Sequence, residues 1–226
     1  MDDLNFDFDL FKNEEINDDI LLPEKKTKEA KAEKPKTKVF KRGTQRHHTR
    51  RIISEIAIED QLPWHFEKGA SYHCISGGDV DSLTYLRYVA KQQHIKYLLL
   101  STWCIAITDL EEINSWIKKG YIDRVDFYVG EIFPGSYGDV YKYLQRTCIV
   151  KGARCCVFRN HSKVMAGYGD LFDFAIESSA NVNTNPRTEQ TTIHIDTALA
   201  DFYKEFYDKI ISFDRTYDDW KPYKKE

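Results

Sequence analysis

The stretch HSKVMAGYGDLFDFAIESSANVNTNPRTEQ, residues 161–190, decides the fold of this chain. His161 and Lys163 lie two residues apart, and an apolar run begins directly after them. On a β-strand, side chains repeat every second residue, so both would project from one face. A second apolar run, Phe172 to Ile176, predicts the return strand of a β-hairpin.

Small polar side chains and a carboxylate follow this hairpin. Ser178, Ser179 and Asn181 come directly after the second run, and Glu189 follows in the same stretch. A basic nucleophile, a fixed cation, hydroxyl and amide donors and a carboxylate are the groups needed to attack a phosphodiester and hold its charge. These residues therefore predict a phosphodiester site.

In this order the residues resemble the phospholipase D-like superfamily, whose members have His-x-Lys, a hairpin, Gly-Ser-x-Asn and a later acidic residue. The segment 161–163 matches the first element, and 178–181 matches the second, with serine in the glycine place. Glu189 fits the acidic residue. The family's aspartate, five residues after the lysine, would fall at Tyr168, and Asp170 is the nearest carboxylate.

The resemblance implies a role for each residue. His161 is the nucleophile that becomes a phosphohistidine, and Lys163 binds phosphate oxygens as a point charge. Ser179 and Asn181 donate hydrogen bonds to the same oxygens, and Glu189 orients His161. Three further residues are candidates for binding the phosphate group: Arg159, Ser178 and Asp170.

The resemblance also implies a homodimer, without metal or cofactor. One histidine cannot easily both attack phosphorus and protonate the leaving oxygen, so a second must come from elsewhere. His94-Ile95-Lys96 has the same spacing, but no Ser-x-Asn follows it at the right distance. We therefore expect two His161 side chains to meet across a two-fold axis. Relatives encoded by phages are a further expectation of the resemblance.

Two alternatives remain open from the sequence. One is that the site is degenerate, as Ser178 and Tyr168 suggest, and the chain binds nucleic acid or a partner without cleaving it; in a related interpretation, His161 is simply a core histidine in an ordinary strand. The loop Ser76–Ser82, SGGDVDS, resembles the Ser-Gly-Gly-x-Asp-Ser loop of ATP pyrophosphatases, with one extra residue. Such a loop predicts either a nucleotide-binding enzyme or a tight turn followed by a helix N-cap.

Charge is distributed unevenly along the chain. Residues 1–24 hold nine acids and one lysine, whereas residues 25–51 hold twelve Lys/Arg and two Glu. A basic arm of this kind gains affinity for nucleic acid through counterion release, or is simply a solvated linker. The acidic-hydrophobic pattern of residues 4–22 is typical of a segment that docks on a protein partner.

The rest of the sequence bounds the class of protein. No long apolar run predicts a transmembrane helix, and the acidic N-terminus is unlike a secretory signal, so we expect a cytoplasmic protein that does not bind membranes. The five cysteines include no Cys-x-x-Cys pair, which argues against a zinc site or a disulfide framework.

Alternating strand-like and helix-like segments predict an α/β fold. We expect a phospholipase D-like half: a mixed, mostly parallel sheet with helices on both faces and a late hairpin that presents the motif. The predicted organisation is a disordered tail over 1–46, a connecting helix within 47–69, the phospholipase D-like domain over 70–213 and a C-terminal tail over 214–226. Within the domain, Thr108 is the expected N-cap of one helix and Thr197–Phe213 the closing helix.

Overall fold

The computed structural model describes residues 44–150, 152–183, 186–216 and 220–225, with side chains from Arg51 onward. They belong to one compact unit, Lys41–Glu226. The predictions for residues 1–43, which include the acidic segment and most of the basic arm, lie outside the described residues. No helix among the described residues is long and apolar enough to cross a membrane.

Seven strands and six helices make up the described part of the chain. The strands are β1 (Ser71–Ser76), β2 (Ile95–Thr102), β3 (Val125–Gly130), β4 (Cys155–Phe158), β5 (Val164–Gly169), β6 (Asp173–Ser178) and β7 (Glu189–His194). The helices are α1 (Thr44–Glu59), α2 (Ser82–Gln92), α3 (Ile107–Lys118), α4 (Phe133–Ser136), α5 (Gly138–Tyr143) and α6 (Thr197–Asp208); a π-helical turn, Leu144–Cys148, continues α5.

The strands form one mixed sheet in the order β1-β7-β6-β5-β2-β3-β4. The pairs β2–β3 and β3–β4 are parallel, and the other four pairs are antiparallel. The predicted α/β class and late hairpin are confirmed, but parallel pairing is less common than expected. In a simple βαβ unit, β1 and β2 would be neighbours and would pair in parallel. Here β7 and the β5–β6 hairpin lie between them and pair with antiparallel neighbours instead.

Helices cover both faces of the sheet, as predicted. Alternate side chains of β2 divide between the two faces. Leu98 and Leu100 belong to the main core, which includes side chains of α2 and α3. Tyr97 and Leu99 belong to a second cluster with Ala200 and Tyr207 of α6.

Two predicted helix ends differ from those observed. Helix α3 begins at Ile107 with Ala106 as N-cap, so Thr108 lies inside the helix rather than at its cap. Helix α6 ends at Asp208. The buried Arg154 guanidinium donates hydrogen bonds to carbonyl oxygens at the C-terminus of this helix, including that of Tyr207 at 2.9 Å. Side-chain donors commonly satisfy these last carbonyls.

The segments flanking the domain pack on it. The Arg51 guanidinium lies 3.0 Å from the Asp109 carboxylate and 2.6 Å from that of Glu112 on α3. The last residue of the predicted basic arm is therefore held within the fold. In the predicted C-terminal tail, Tyr223 stacks on Tyr97 with ring centroids 4.6 Å apart.

Candidate phosphodiester site

Four neighbouring strands bring the predicted residues to one end of the sheet. Strand β2 ends there, β5 begins, β6 ends and β7 begins, because Ser101 pairs with Val164, Val164 with Glu177, and Ser178 with Thr191. We call this the motif end of the sheet. It includes the carboxyl ends of the parallel strands, where open α/β sheets commonly bind ligands.

His161 and Lys163 form a pair just before β5. The Lys163 Nζ atom lies 3.1 Å from His161 Nδ1 and donates to the His161 carbonyl oxygen at 2.6 Å. The two side chains therefore project together, as the spacing predicts. The imidazole is exposed, so the alternative of a buried core histidine does not describe this side chain.

Ser162, between them, points in the opposite direction. Its hydroxyl lies 2.8 Å from Ser101 Oγ and 2.6 Å from the Tyr207 hydroxyl on α6. The alternation of an extended backbone thus anchors the middle residue beneath α6 and leaves its two neighbours on the other side. The anchor fixes the backbone from which the histidine and lysine side chains start.

Asn160 joins this segment to two strands, and sequence reasoning missed it. The buried amide nitrogen donates to Ser101 Oγ at 3.0 Å and to the Tyr128 carbonyl at 2.8 Å. The amide oxygen accepts from the backbone nitrogen of Ser162 at 2.9 Å and from its hydroxyl at 2.6 Å. Only its position next to the motif could have suggested this role, because its partners on β2 and β3 are distant in sequence.

The second motif element is tied to β7. The Ser179 hydroxyl donates to the Glu189 carboxylate and accepts from the Gln190 backbone nitrogen at 2.9 Å. Ser178, in the glycine place, donates its backbone N–H to the Lys163 carbonyl at 3.0 Å, and its hydroxyl lies 2.9 Å from Thr191 Oγ1. The serine that departs from the family pattern therefore has hydrogen-bond partners in this turn.

Asn181 is held against the end of β2. The neighbouring Val182 donates its backbone N–H to Thr102 Oγ1 at 3.2 Å and accepts from the Ala106 N–H at 3.1 Å. The Asn181 Oδ1 atom is buried and has no hydrogen-bond partner within the described residues. Buried polar atoms are usually satisfied, so an unsatisfied one at this position is consistent with a place for a ligand group or a water molecule.

Lys163 lies in a partly desolvated environment. Burial lowers its pKa, while the Cys104 thiol and the Glu189 carboxylate act in the opposite direction. Burial also raises the pKa of Cys104, and Lys163 opposes that shift. The Lys163 ammonium thus interacts electrostatically with both Cys104 and Glu189. Ser179 donates to this carboxylate, and the predicted orientation of His161 by Glu189 stays a prediction.

Two of the remaining candidate positions lie apart from the motif end. Asp170 follows β5 at the opposite end of that strand, where it is exposed and pairs with Lys96 at 3.1 Å. Six residues of strand separate it from the motif, about 20 Å. Tyr168, in the place of the family's aspartate, donates to Asp201 on α6 at 2.7 Å. Arg159 is exposed in the loop before His161.

The Ser76–Ser82 loop also lies near the motif end. Ser76 pairs with Glu189 in the sheet, and Gly78 has φ +94°. A Cβ atom on Gly78 would collide with the Pro186 carbonyl group, so only glycine fits there. The Ser54 hydroxyl donates to the Asp79 carbonyl at 2.7 Å. These contacts favour the interpretation as a tight turn that leads into α2.

The described residues contain no cluster of three or more His, Cys, Asp or Glu side chains able to hold a metal ion. All five cysteines are free thiols. The groups that meet at the motif end are an imidazole, an ammonium, hydroxyls, an amide and a carboxylate. This set suits the binding of a phosphate group. The α/β fold and the β5–β6 hairpin that carry it are those that the phospholipase D-like resemblance implies.

Comparison with known proteins finds similarity only at the level of structure. No family model matches the chain, and no curated protein matches it. Among solved structures, NucT from Helicobacter pylori is 16% identical; the match covers 64% of this chain and 100% of that one, with a TM-score of 0.49. Nuc from Salmonella typhimurium, a phospholipase D family member, is 16% identical over 62% of this chain and 91% of its own, with a TM-score of 0.43.

A polyphosphate kinase from Porphyromonas gingivalis is 14% identical over 62% of this chain and 26% of its own, with a TM-score of 0.45. At these identities and TM-scores the likeness assigns neither an activity nor a substrate. It also gives no support to a phage origin.

Proposed function

We propose that this chain is a phospholipase D-like phosphodiesterase that cleaves nucleic acid through a phosphohistidine, as a homodimer and without a metal ion. The observation that supports this most strongly is the pairing of His161 with Lys163 beside the Ser179–Glu189 hydrogen bond. The imidazole is exposed and is therefore accessible to a substrate.

The reaction has two steps. An unprotonated ring nitrogen of His161 attacks phosphorus, and the bond from phosphorus to the leaving oxygen breaks. The leaving oxygen takes a proton from the second His161 of the dimer. That second histidine then removes a proton from water, which attacks phosphorus and breaks the P–N bond. Lys163 and the Asn181 amide stabilise the negative charge on the phosphate oxygens during both steps, and the Ser179 hydroxyl joins them when its proton turns from Glu189 to the substrate.

The positions of the other described histidines support a second subunit as the source of the acid. His94 is at the opposite end of β2, where its ring bonds Asp123 at 2.9 Å. His73 lies on the edge strand β1 and His194 on the neighbouring strand β7. His65 precedes Phe66, which packs on Phe172 in the β5–β6 turn at the other end of the sheet. Among the histidines whose side chains the structure describes, these do not join His161. A dimer that apposes two His161 side chains supplies the missing acid.

We infer nucleic acid as the substrate from a basic residue beside the motif and from the charge of the N-terminal sequence. Arg159 is exposed next to the motif, and the sequence of residues 25–50 is strongly basic. Phosphate backbones are bound largely through such charges, with an affinity that falls as salt increases. The same features favour the alternative of a non-catalytic nucleic-acid-binding protein, for which serine in the glycine place and the distant Asp170 would be signs of degeneration.

The test is cleavage of single- and double-stranded DNA in EDTA by wild type, His161→Ala and Lys163→Ala. His94→Ala is a matched control, since His94-Ile95-Lys96 has the same spacing at the other end of the sheet. We expect cleavage by wild type and the control, and loss of cleavage in both motif variants. Cleavage that survives His161→Ala, or that requires a divalent cation, would contradict the proposal. Salt-dependent binding without any turnover would support the non-catalytic alternative.

A further inference from the structure

Trp103 is the aromatic side chain that lies against the candidate nucleophile. It directly follows β2 at the motif end, and its ring centroid is 5.6 Å from that of His161, with the planes inclined by 49°. The ring is only partly buried. A large, partly exposed π-surface therefore adjoins the atom at which the proposed reaction takes place.

The end of β3 fixes the position of this ring. A Cβ atom on Gly130 would lie 3.0 Å from Trp103 Cδ1 and 3.1 Å from the Trp103 carbonyl oxygen. Such a separation is tighter than ordinary van der Waals contact, so glycine at 130 allows the indole to lie against the strand end. Trp103 is thus placed by the sheet.

A second aromatic ring lies nearby. Tyr137 is partly buried and packs on Phe133, with ring centroids 5.6 Å apart. Burial raises the pKa of Tyr137, and the Cys104 thiol, a neighbour of Lys163, adds to that shift. Tyr137 and Lys163 thus both interact electrostatically with the Cys104 thiol.

We propose that Trp103 is a stacking platform for a nucleobase next to the scissile phosphate, which makes unpaired, single-stranded nucleic acid the substrate class. This deepens the proposed function and rests on it. Every nucleobase has a π-face, so stacking on an aromatic side chain tolerates any sequence. In a duplex the bases stack on one another, and leaving that stack costs free energy, so an unpaired strand binds more readily.

The experiment compares two single-stranded oligonucleotides of the same length, one with normal bases and one with abasic residues around the cleaved phosphate. Wild type, Trp103→Leu, Trp103→Phe and Trp64→Leu are assayed for kcat/KM on both. Trp64 is 77% exposed and precedes Phe66, which packs on Phe172 in the β5–β6 turn at the other end of the sheet. It is the matched control.

We expect Trp103→Leu to lower kcat/KM on the normal oligonucleotide by about 10-fold, the loss of one base–aromatic stack, and to leave the abasic one unchanged. Trp103→Phe should retain most activity, and Trp64→Leu all of it. Wild type should also prefer the single strand to its duplex. An equal loss on both oligonucleotides would overturn the proposal, because Trp103 would then only support His161.

Binding measurements separate this inference from the proposed function. If wild type cleaves neither oligonucleotide, the proposed phosphodiesterase fails, but fluorescence anisotropy still measures affinity for both. A selective loss of affinity for the normal oligonucleotide in Trp103→Leu would support stacking on its own. Equal affinities of wild type and Trp103→Leu for that oligonucleotide would overturn it, whatever the outcome for cleavage.

Discussion

Replacing Asn160 by alanine should both destabilise the fold and release the motif segment. The amide makes four hydrogen bonds of 3.0 Å or less: two donated to Ser101 and Tyr128, and two accepted from Ser162. Each contributes about 1 kcal/mol net, and a buried partner left unsatisfied costs about 1–3 kcal/mol. We therefore expect Asn160→Ala to lower the free energy of unfolding by about 3–4 kcal/mol.

A second variant tests the directions of these bonds. In Asn160→Asp, an oxygen would replace the amide nitrogen that donates to the Tyr128 carbonyl, and two acceptors would face each other in a buried site. The side chain keeps its size, so a loss of stability here reflects hydrogen bonding rather than a cavity. Asn183→Ala is the control, because the Asn183 amide makes a 3.6 Å contact with the Cys104 sulfur. It should cost less than about 1 kcal/mol.

The assay is urea unfolding followed by circular dichroism, with a double-mutant cycle between Asn160→Ala and Ser162→Ala. Because the Ser162 hydroxyl donates to the Asn160 amide and both side chains bond Ser101 Oγ, their effects should be non-additive by about 1 kcal/mol or more. If Asn160→Ala unfolds within about 1 kcal/mol of wild type at an unchanged m-value, the network does not anchor the segment and the reasoning is refuted.

Two further predictions concern stability. Burial raises the pKa of Asp109 to about 6, although Arg51 opposes this, so its ionisation destabilises the fold as pH rises from about 4 to about 6. The free energy of unfolding of Asp109→Asn, relative to that of wild type, should therefore rise by up to roughly 3 kcal/mol between pH 4 and pH 7. A difference that stays constant over this range would contradict the prediction. Gly167→Ala should lower the free energy of unfolding by about 1–3 kcal/mol, since a Cβ atom would collide with the Tyr97 carbonyl oxygen. The control Gly135→Ala, where a Cβ atom would meet open space, should change it by less than about 1 kcal/mol. Similar melting temperatures of the two variants would refute this prediction.

The hairpin and the placement of most candidate site residues could be predicted because their information is local. Two short apolar runs bounded by polar residues are sufficient to predict β5 and β6. The alternation of side chains along an extended backbone predicts that His161 and Lys163 project together, and the family resemblance implies a nearby carboxylate at Glu189. These features depend on short stretches of sequence.

The sheet order and the supporting residues depend on contacts between distant segments. Placing β7 next to β1 requires pairing of Ser71 with His194, which no local pattern indicates. Asn160 belongs to a loop, and its partners Ser101 and Tyr128 cannot be inferred from its neighbours. Asp170 is close to the motif in sequence, but the six residues of β5 lie between them, so Asp170 is at the other end of the strand.

The central claim is that His161 attacks phosphorus, and a covalent adduct tests it most directly. Wild type and His161→Asn would be mixed with a single-stranded oligonucleotide in EDTA, quenched at alkaline pH and analysed by peptide mass spectrometry. We predict a phosphoramidate adduct on the peptide that contains His161 in wild type, and none in the variant. Rapid cleavage with His161 unmodified throughout, or an adduct on another residue, would contradict the account.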